Sequence, residues 1–337
     1  MAFVLGALPG IGNNFLMTSV MVALLEHFRE RSHLALSVTN ASGILGKIAF
    51  TLIQIFLFPE IGVDSSNNKG LLQYQAATYA ICICGAVALT PLNLHVKDSS
   101  EQTVRGRMLD ISGLQMLRSP VLYVLASVFL FDGLGGGIPE QHIQQASGVF
   151  LLSMLLVFFI ALGSLVGSII SCCLSRKEMS RVVSLVLIAI FGILMGVLTL
   201  TVEAFEKFEY AISYCLLFGM FAGLRTPLMM RTILLALGED HLGLTVGLTS
   251  FATGLGSIIG DESAGAIVKD HNRVDAAFYL SGLSLLASAA ACLLLLKMEA
   301  KVNSQAQATM SDTDQEGGSK QEGVRKEASE RETEHVS

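Results

Sequence analysis

The chain has 337 residues, 52% hydrophobic and 15% charged, with a formal net charge of −6 and a mean hydropathy of +0.60. A water-soluble globular domain carries roughly a quarter charged residues, so that class is excluded. The acidic excess sits in the polar C-terminal stretch and no basic run is interleaved with aromatics, which also excludes nucleic-acid binding.

Nine apolar runs follow one another, at about 2–25, 34–58, 73–94, 119–139, 146–173, 181–202, 210–237, 242–268 and 274–297. Roughly 20 residues rising 1.5 Å each cross a hydrocarbon core about 30 Å thick. Only helices and closed barrels satisfy every peptide group there, and runs this long and continuous predict helices. The expected fold class is all-α, a polytopic transmembrane helical bundle of about nine helices.

The first run lacks the basic n-region of a signal peptide and contains Pro9 among glycines, so it reads as a mature transmembrane helix. The second places Lys47 about fourteen residues inside, and the third contains Cys82 and Cys84, whose thiols point to different helix faces. The longest internal connection, 95–118, separates three runs from six. The fourth run carries Asp132 about thirteen residues in, then Gly133, Gly135, Gly136 and Gly137. No Lys-Ser/Thr follows these glycines, so they form no phosphate loop; their use is close packing or bending of a helix.

Residues 140–147 read as a loop in which His142 is either a pH sensor or an ordinary loop histidine. The fifth run ends at Cys172 and Cys173, which read as small buried hydrophobes or as a palmitoylation pair. Arg225 and Arg231 lie in the seventh run, and the adjacent Asp261 and Glu262 in the eighth. From about 298 the chain is Ser, Thr, Gln, Glu and Lys, and such a tail cannot offset its ordering entropy. Ser311 and Thr313 there stand beside Asp312 and Asp314, a phosphorylation context or a plain solvated tail.

Basic residues mark alternate connections: Arg29 and Arg31, then Lys97, Arg105, Arg107 and Arg118, then Arg176, Lys177 and Arg181, then Lys297 and Lys301. The positive-inside rule places 29–33, 95–118, 174–181 and the tail in the cytosol. Met1 then falls on the far side.

Charges inside the predicted helices carry the functional signal, because each costs about 2.5–3.5 kcal/mol near the bilayer centre on insertion scales. Arg225 reads as an anchor for an anion, since guanidinium forks onto carboxylate with two parallel hydrogen bonds, or as the structural partner of Asp132 or Asp261. Lys47 reads as a second substrate cation or as the partner of a carboxylate. Asp132 can bind a proton or a cation, or serve structurally. Asp261 and Glu262 diverge by about 100° around a helix, so one faces a pore and the other the interface. Arg231, nearer the end of its run, reads as a residue that snorkels to headgroups. No Ser/His/Asp, Cys/His or H-E-x-x-H arrangement is recognisable, so no enzyme chemistry, metal or cofactor is expected.

Three stretches carry a family likeness. Leu5-Gly-Ala-Leu-Pro-Gly-Ile-Gly12 leads through Leu25 and Phe28 into Arg29-Glu-Arg31, then Ala35, Ala41, Ser42 and Gly46, with Ser32 and Ser37 standing where an arginine and a glycine are usual. Phe150-Leu-Leu-Ser-Met-Leu155 is the second. The third runs from Phe218-Gly219 through Ala222-Gly223 and Val246-Gly247-Leu248 to Gly260, Ala264-Gly265 and Asp270. Together they resemble the monocarboxylate transporter family of the major facilitator superfamily, in its fourth to twelfth helices.

The resemblance implies that three N-terminal helices are unrepresented, that 1–94 is a partial first half, and that 95–118 is a cytosolic linker. It implies further that 119–297 is a six-helix second half and that 298–337 is a tail. It implies a small organic anion as substrate, alternating access, the plasma membrane and an accessory membrane glycoprotein. The Asp and Arg that proton-coupled members carry in the eighth helix read Phe159 and Gly163 here, so transport is expected without that pair. The alternative is a non-transporting truncated relative or a gene-model fragment, acting as a binding or regulatory membrane protein.

Overall fold

Seven of the nine apolar runs fall on residues that the computed structural model describes, namely 32–57, 119–147, 150–174, 180–201, 208–237, 242–271 and 274–301, and each is helical. The runs at 2–25 and 73–94, the 95–118 linker, Cys82, Cys84 and the tail beyond 301 lie outside the described residues. The helices are α1 (Ser32–Leu57), α2 (Pro120–Gly136), α3 (Ile138–Ser147), α4 (Phe150–Leu174), α5 (Arg181–Leu200), α6 (Phe208–Leu237), α7 (Leu242–His271) and α8 (Val274–Lys301). No strand occurs among the described residues. Five spans among the described residues are long and apolar enough to cross a membrane: Pro120–Ile143, Leu152–Leu174, Arg181–Leu200, Phe208–Ile233 and Val274–Lys301. The chain is a polytopic transmembrane helical bundle.

Two boundaries differ from expectation. Residues 140–147 are not a loop but most of α3, which begins one residue after the break at Gly137. Pro139 sits in its first turn, where a missing N–H costs nothing, and Glu140 follows where the helix dipole favours an anion. The last helix runs to Lys301 rather than ending at 297.

Contact registers fix the directions. Glycines 256 and 260 of α7 face Leu130 and Leu134 of α2 in rising order, so these helices are parallel. Helices α4 and α6 are parallel by the same test, Ile160 and Ser164 facing Gly219 and Gly223. Gly192 and Gly196 of α5 meet Ala289 and Leu286 of α8, an antiparallel pair, with Arg181 and Glu299 joined at one end. Phe191 stacks on Phe221 while Thr199 meets Tyr214, so α5 and α6 are antiparallel too. Successive long helices therefore alternate, as a chain crossing back and forth requires.

Small residues set the helix spacing, because in lipid the packing term replaces the hydrophobic drive between helices. A Cβ at Gly163 or Gly167 would collide with the carbonyls of Leu216 and Met220, and one at Gly219 or Gly223 with those of Ile160 and Ser164. The α4–α6 seam is thus backbone against backbone, with a glycine every fourth residue on both sides. The outward faces are apolar as well as the inward ones, unlike those of a soluble protein. Helix α5 turns Val183, Val186, Ile190, Ile193, Leu194 and Val197 outward while Ser184, Gly192, Gly196 and Thr199 are buried. Hydroxyls inside the bundle bond back to the carbonyl one turn earlier, as Thr199 does to Met195 at 2.8 Å and Thr232 to Leu228 at 3.0 Å. Such a bond satisfies the hydroxyl without a partner from another helix.

Candidate functional site

Asp132 lies twelve residues after the start of α2 and Arg225 twelve before the end of antiparallel α6, about 18 Å along each axis at 1.5 Å per residue. They meet as an ion pair, Arg225 Nη1 on Asp132 Oδ1. Arg225 is 1% exposed, the largest side chain buried to that degree, whereas the Asp132 side chain keeps 28% of its surface. Ser288 of α8 accepts from Arg225 Nη2 at 2.6 Å and donates its own proton to the Val128 carbonyl at 2.7 Å. Arg225 Nε is buried with no partner among the described residues.

The pair borders a cavity of about 180 Å³, whose polar lining is Asp132, Glu140, Arg225 and Thr226. The rest of the wall is Gly136, Met195, Phe218 and Ala222. One guanidinium and two carboxylates thus face a small, half-apolar space. Glu140 is itself ion-paired with Lys47 of α1, both groups partly exposed. Lys47 therefore reaches the cavity only through Glu140.

The remaining sequence candidates lie elsewhere. Asp261 is half-buried and its Oδ2 accepts from Gln141 Nε2 of α3 at 2.8 Å, while the neighbouring Glu262 is exposed. Neither lines the cavity. Arg231 does not snorkel: it is 5% exposed, enclosed in the bundle. His142 is no loop residue but a buried position on α3. Cys215 and Cys292 are buried, Cys172 is half-buried and Cys173 is exposed. Among the described residues no three His, Cys, Asp or Glu side chains cluster as a metal site would require.

Local backbone chemistry holds the site. Pro227 has no N–H, so the Gly223 carbonyl one turn back loses its helical donor. Ser168 of α4 supplies one at 3.3 Å and in turn accepts from Asn40 of α1 at 2.7 Å. The final carbonyls of α2 also lack helical partners, and two of them are met from outside, Gly133 by Ser257 at 3.3 Å and Gly135 by Ser281 at 2.6 Å. The break at Gly137 is thereby stabilised rather than frayed. Gly192 of α5 makes room for the guanidinium, since a Cβ there would lie 3.4 Å from Arg225 Cζ and 3.1 Å from Ala289.

The positions Phe159 and Gly163 have a structural counterpart. Phe159 packs at the edge of the cluster around Ile160 and Phe218, and Gly163 lies in the α4–α6 seam where no side chain fits. An ionisable residue at 163 would force α4 and α6 apart.

Glu140 and Ser288 belong to the site without having been singled out in the sequence. Pro139 followed by Glu140 and the apolar Ile143 is a legible helix start, and it was the available signal for Glu140. Ser288 has no sequence signal beyond being a hydroxyl in an apolar run. The model of the Major Facilitator Superfamily matches residues 1–261. No curated protein matches the chain.

Proposed function

The chain belongs to the Major Facilitator Superfamily, a family of membrane transporters, and on that premise we propose that it carries small organic anions of the monocarboxylate kind by alternating access. The observation that supports this most is Arg225: a permanent cation at mid-depth, 1% exposed, bordering a cavity of about 180 Å³. A buried guanidinium is expensive unless an anion meets it, and its planar fork matches a carboxylate in two hydrogen bonds. Superfamily carriers hold substrate near mid-membrane, between their two helical halves.

In this reading α1 belongs to the first half, ending at 94, and α2–α8 to the second, from 119 to the end of α8 at Lys301, with 95–118 a cytosolic linker and the tail beyond α8 also cytosolic. Lys47–Glu140 then joins the halves beside the substrate. Phe159 and Gly163 replace the ionisable pair of proton-coupled relatives, so Asp132 is the group left to answer for charge balance when an anion takes Arg225. Asp261 and Glu262, away from the cavity, have a weaker case for ion coupling. The plasma membrane and an accessory glycoprotein partner follow from the resemblance to monocarboxylate transporters.

Uptake of labelled small carboxylates by cells expressing the chain, against mock cells, tests the proposal. We expect uptake that is lost in Arg225→Ala and nearly lost in Arg225→Lys, because a point charge cannot reproduce the fork. Undiminished uptake by a well-expressed Arg225→Ala protein eliminates the anchor.

A further inference from the structure

A lone carboxylate that docks on Arg225 either crowds Asp132 on one guanidinium or displaces it, and a displaced Asp132 is left without a cation within the bundle. The cavity lining already carries two carboxylates against one guanidinium. Lys47 offers Asp132 no relief, because its ammonium is held on Glu140. Breaking a buried ion pair without re-partnering both members is strongly unfavourable. The geometry nevertheless invites a newcomer: Asp132 keeps 28% of its side-chain surface, and the buried Nε of Arg225 has no acceptor among the described residues. Ser288, anchored on the Val128 carbonyl, holds the guanidinium from behind.

A solute with a cationic group beside its carboxylate removes the conflict. Its carboxylate accepts from Arg225 while its cation donates to Asp132, and no charge is stranded. Building on the Arg225 anchor proposed above, we infer that the substrate is a small zwitterion, an ammonium carboxylate that inserts into the Arg225–Asp132 pair. The cavity, about 180 Å³, suits a compact solute. Met195, Phe218 and Ala222 offer a short aliphatic side chain an apolar wall.

Isosteric substrate pairs test this with the full chain: L-alanine against L-lactate, and L-leucine against its 2-hydroxy analogue, each pair differing only in ammonium versus hydroxyl. We expect each amino member to enter at least about tenfold faster than its hydroxy counterpart, since a site built around a hydrogen-bonding group rejects the analogue that lacks it. In Asp132→Asn, compared at equal surface expression, that ratio should fall towards one. Hydroxy acids entering the wild type as fast as amino acids overturns the zwitterion and leaves the anion reading standing. An unchanged ratio in a well-expressed Asp132→Asn protein also overturns it. Uptake of none of the four overturns both readings together. Should Asp132→Asn fail to reach the membrane, the wild-type ratios alone decide.

Discussion

Ser288 and Arg225 share a hydrogen bond of 2.6 Å in which the serine, its proton already committed to the Val128 carbonyl, can act only as acceptor. The hydroxyl is therefore fixed in the one orientation that suits a guanidinium, and α2, α6 and α8 are tied at a single point. Ser288→Ala removes the acceptor and leaves a buried charged donor unmet, worth about 1.5–3 kcal/mol. We expect a lower melting temperature in detergent and weaker substrate affinity. Ser288→Thr, which keeps the acceptor, should recover part of both.

The ion pair itself can be separated from the anchor by a double-mutant cycle. Arg225→Met strands Asp132 and Asp132→Asn strands Arg225, each at about 3–5 kcal/mol. The double variant strands neither, and its folded yield, measured by surface biotinylation, should exceed that of either single variant. Additive losses would show that the two side chains do not support one another.

Substitutions along the α4–α6 seam should divide sharply by position. Gly163→Leu and Gly219→Leu push a side chain into the opposing backbone and should prevent stable folding. At Gly136 a Cβ meets nothing within 4 Å, so Gly136→Ala should leave the melting temperature unchanged or slightly raised. Equal tolerance at 163 and 136 would contradict the seam.

The helix alternation and the arginine distribution together predict sidedness. Glycosylation tags inserted at 64–68 should be modified in cells and tags at 99–103 should stay bare. The reverse pattern would invert the topology.

Transport should respond weakly to an inward proton gradient, because Phe159 and Gly163 offer no titrating pair and a zwitterion brings its own compensating charge. Uptake into proteoliposomes at fixed internal pH and stepped external pH measures this. Steep acceleration on acidification would assign a proton to Asp132.

Length and hydropathy were enough to read the seven helical runs that fall on described residues, since a bilayer imposes a single requirement on every residue of a span. The depth of the charges was legible for the same reason, but depth left Arg225 two candidate partners, Asp132 and Asp261, and it is the packing of the helices that brings Asp132 to it. That Lys47 pairs with a carboxylate was legible, but which one was not, because Glu140 sits beyond a glycine break that looks like the end of a helix and is instead a bend. Arg231 misled in the opposite sense. Its closeness to the end of an apolar run suggested escape to the headgroups, but burial depends on which way a helix face turns, and one sequence does not show its neighbours. Hydrogen-bond relays such as Asn40–Ser168–Gly223 depend on three helices at once and are invisible along the chain.

The glycine seams also sort the helices by how easily they part. Backbones in direct contact, as between α4 and α6 or α2 and α7, mesh like gear teeth, and sliding them by part of a turn would drive side chains into carbonyls. Helix α1 has no such teeth: a Cβ at Gly43 or Gly46 would meet nothing within 4 Å. Its polar ties to the other helices include Lys47–Glu140 and Asn40–Ser168, bonds that water can replace at little cost. Among the described helices shear is therefore cheapest along α1, and its first consequence would be to wet Glu140 and to release the serine that caps the Gly223 carbonyl two residues from Arg225.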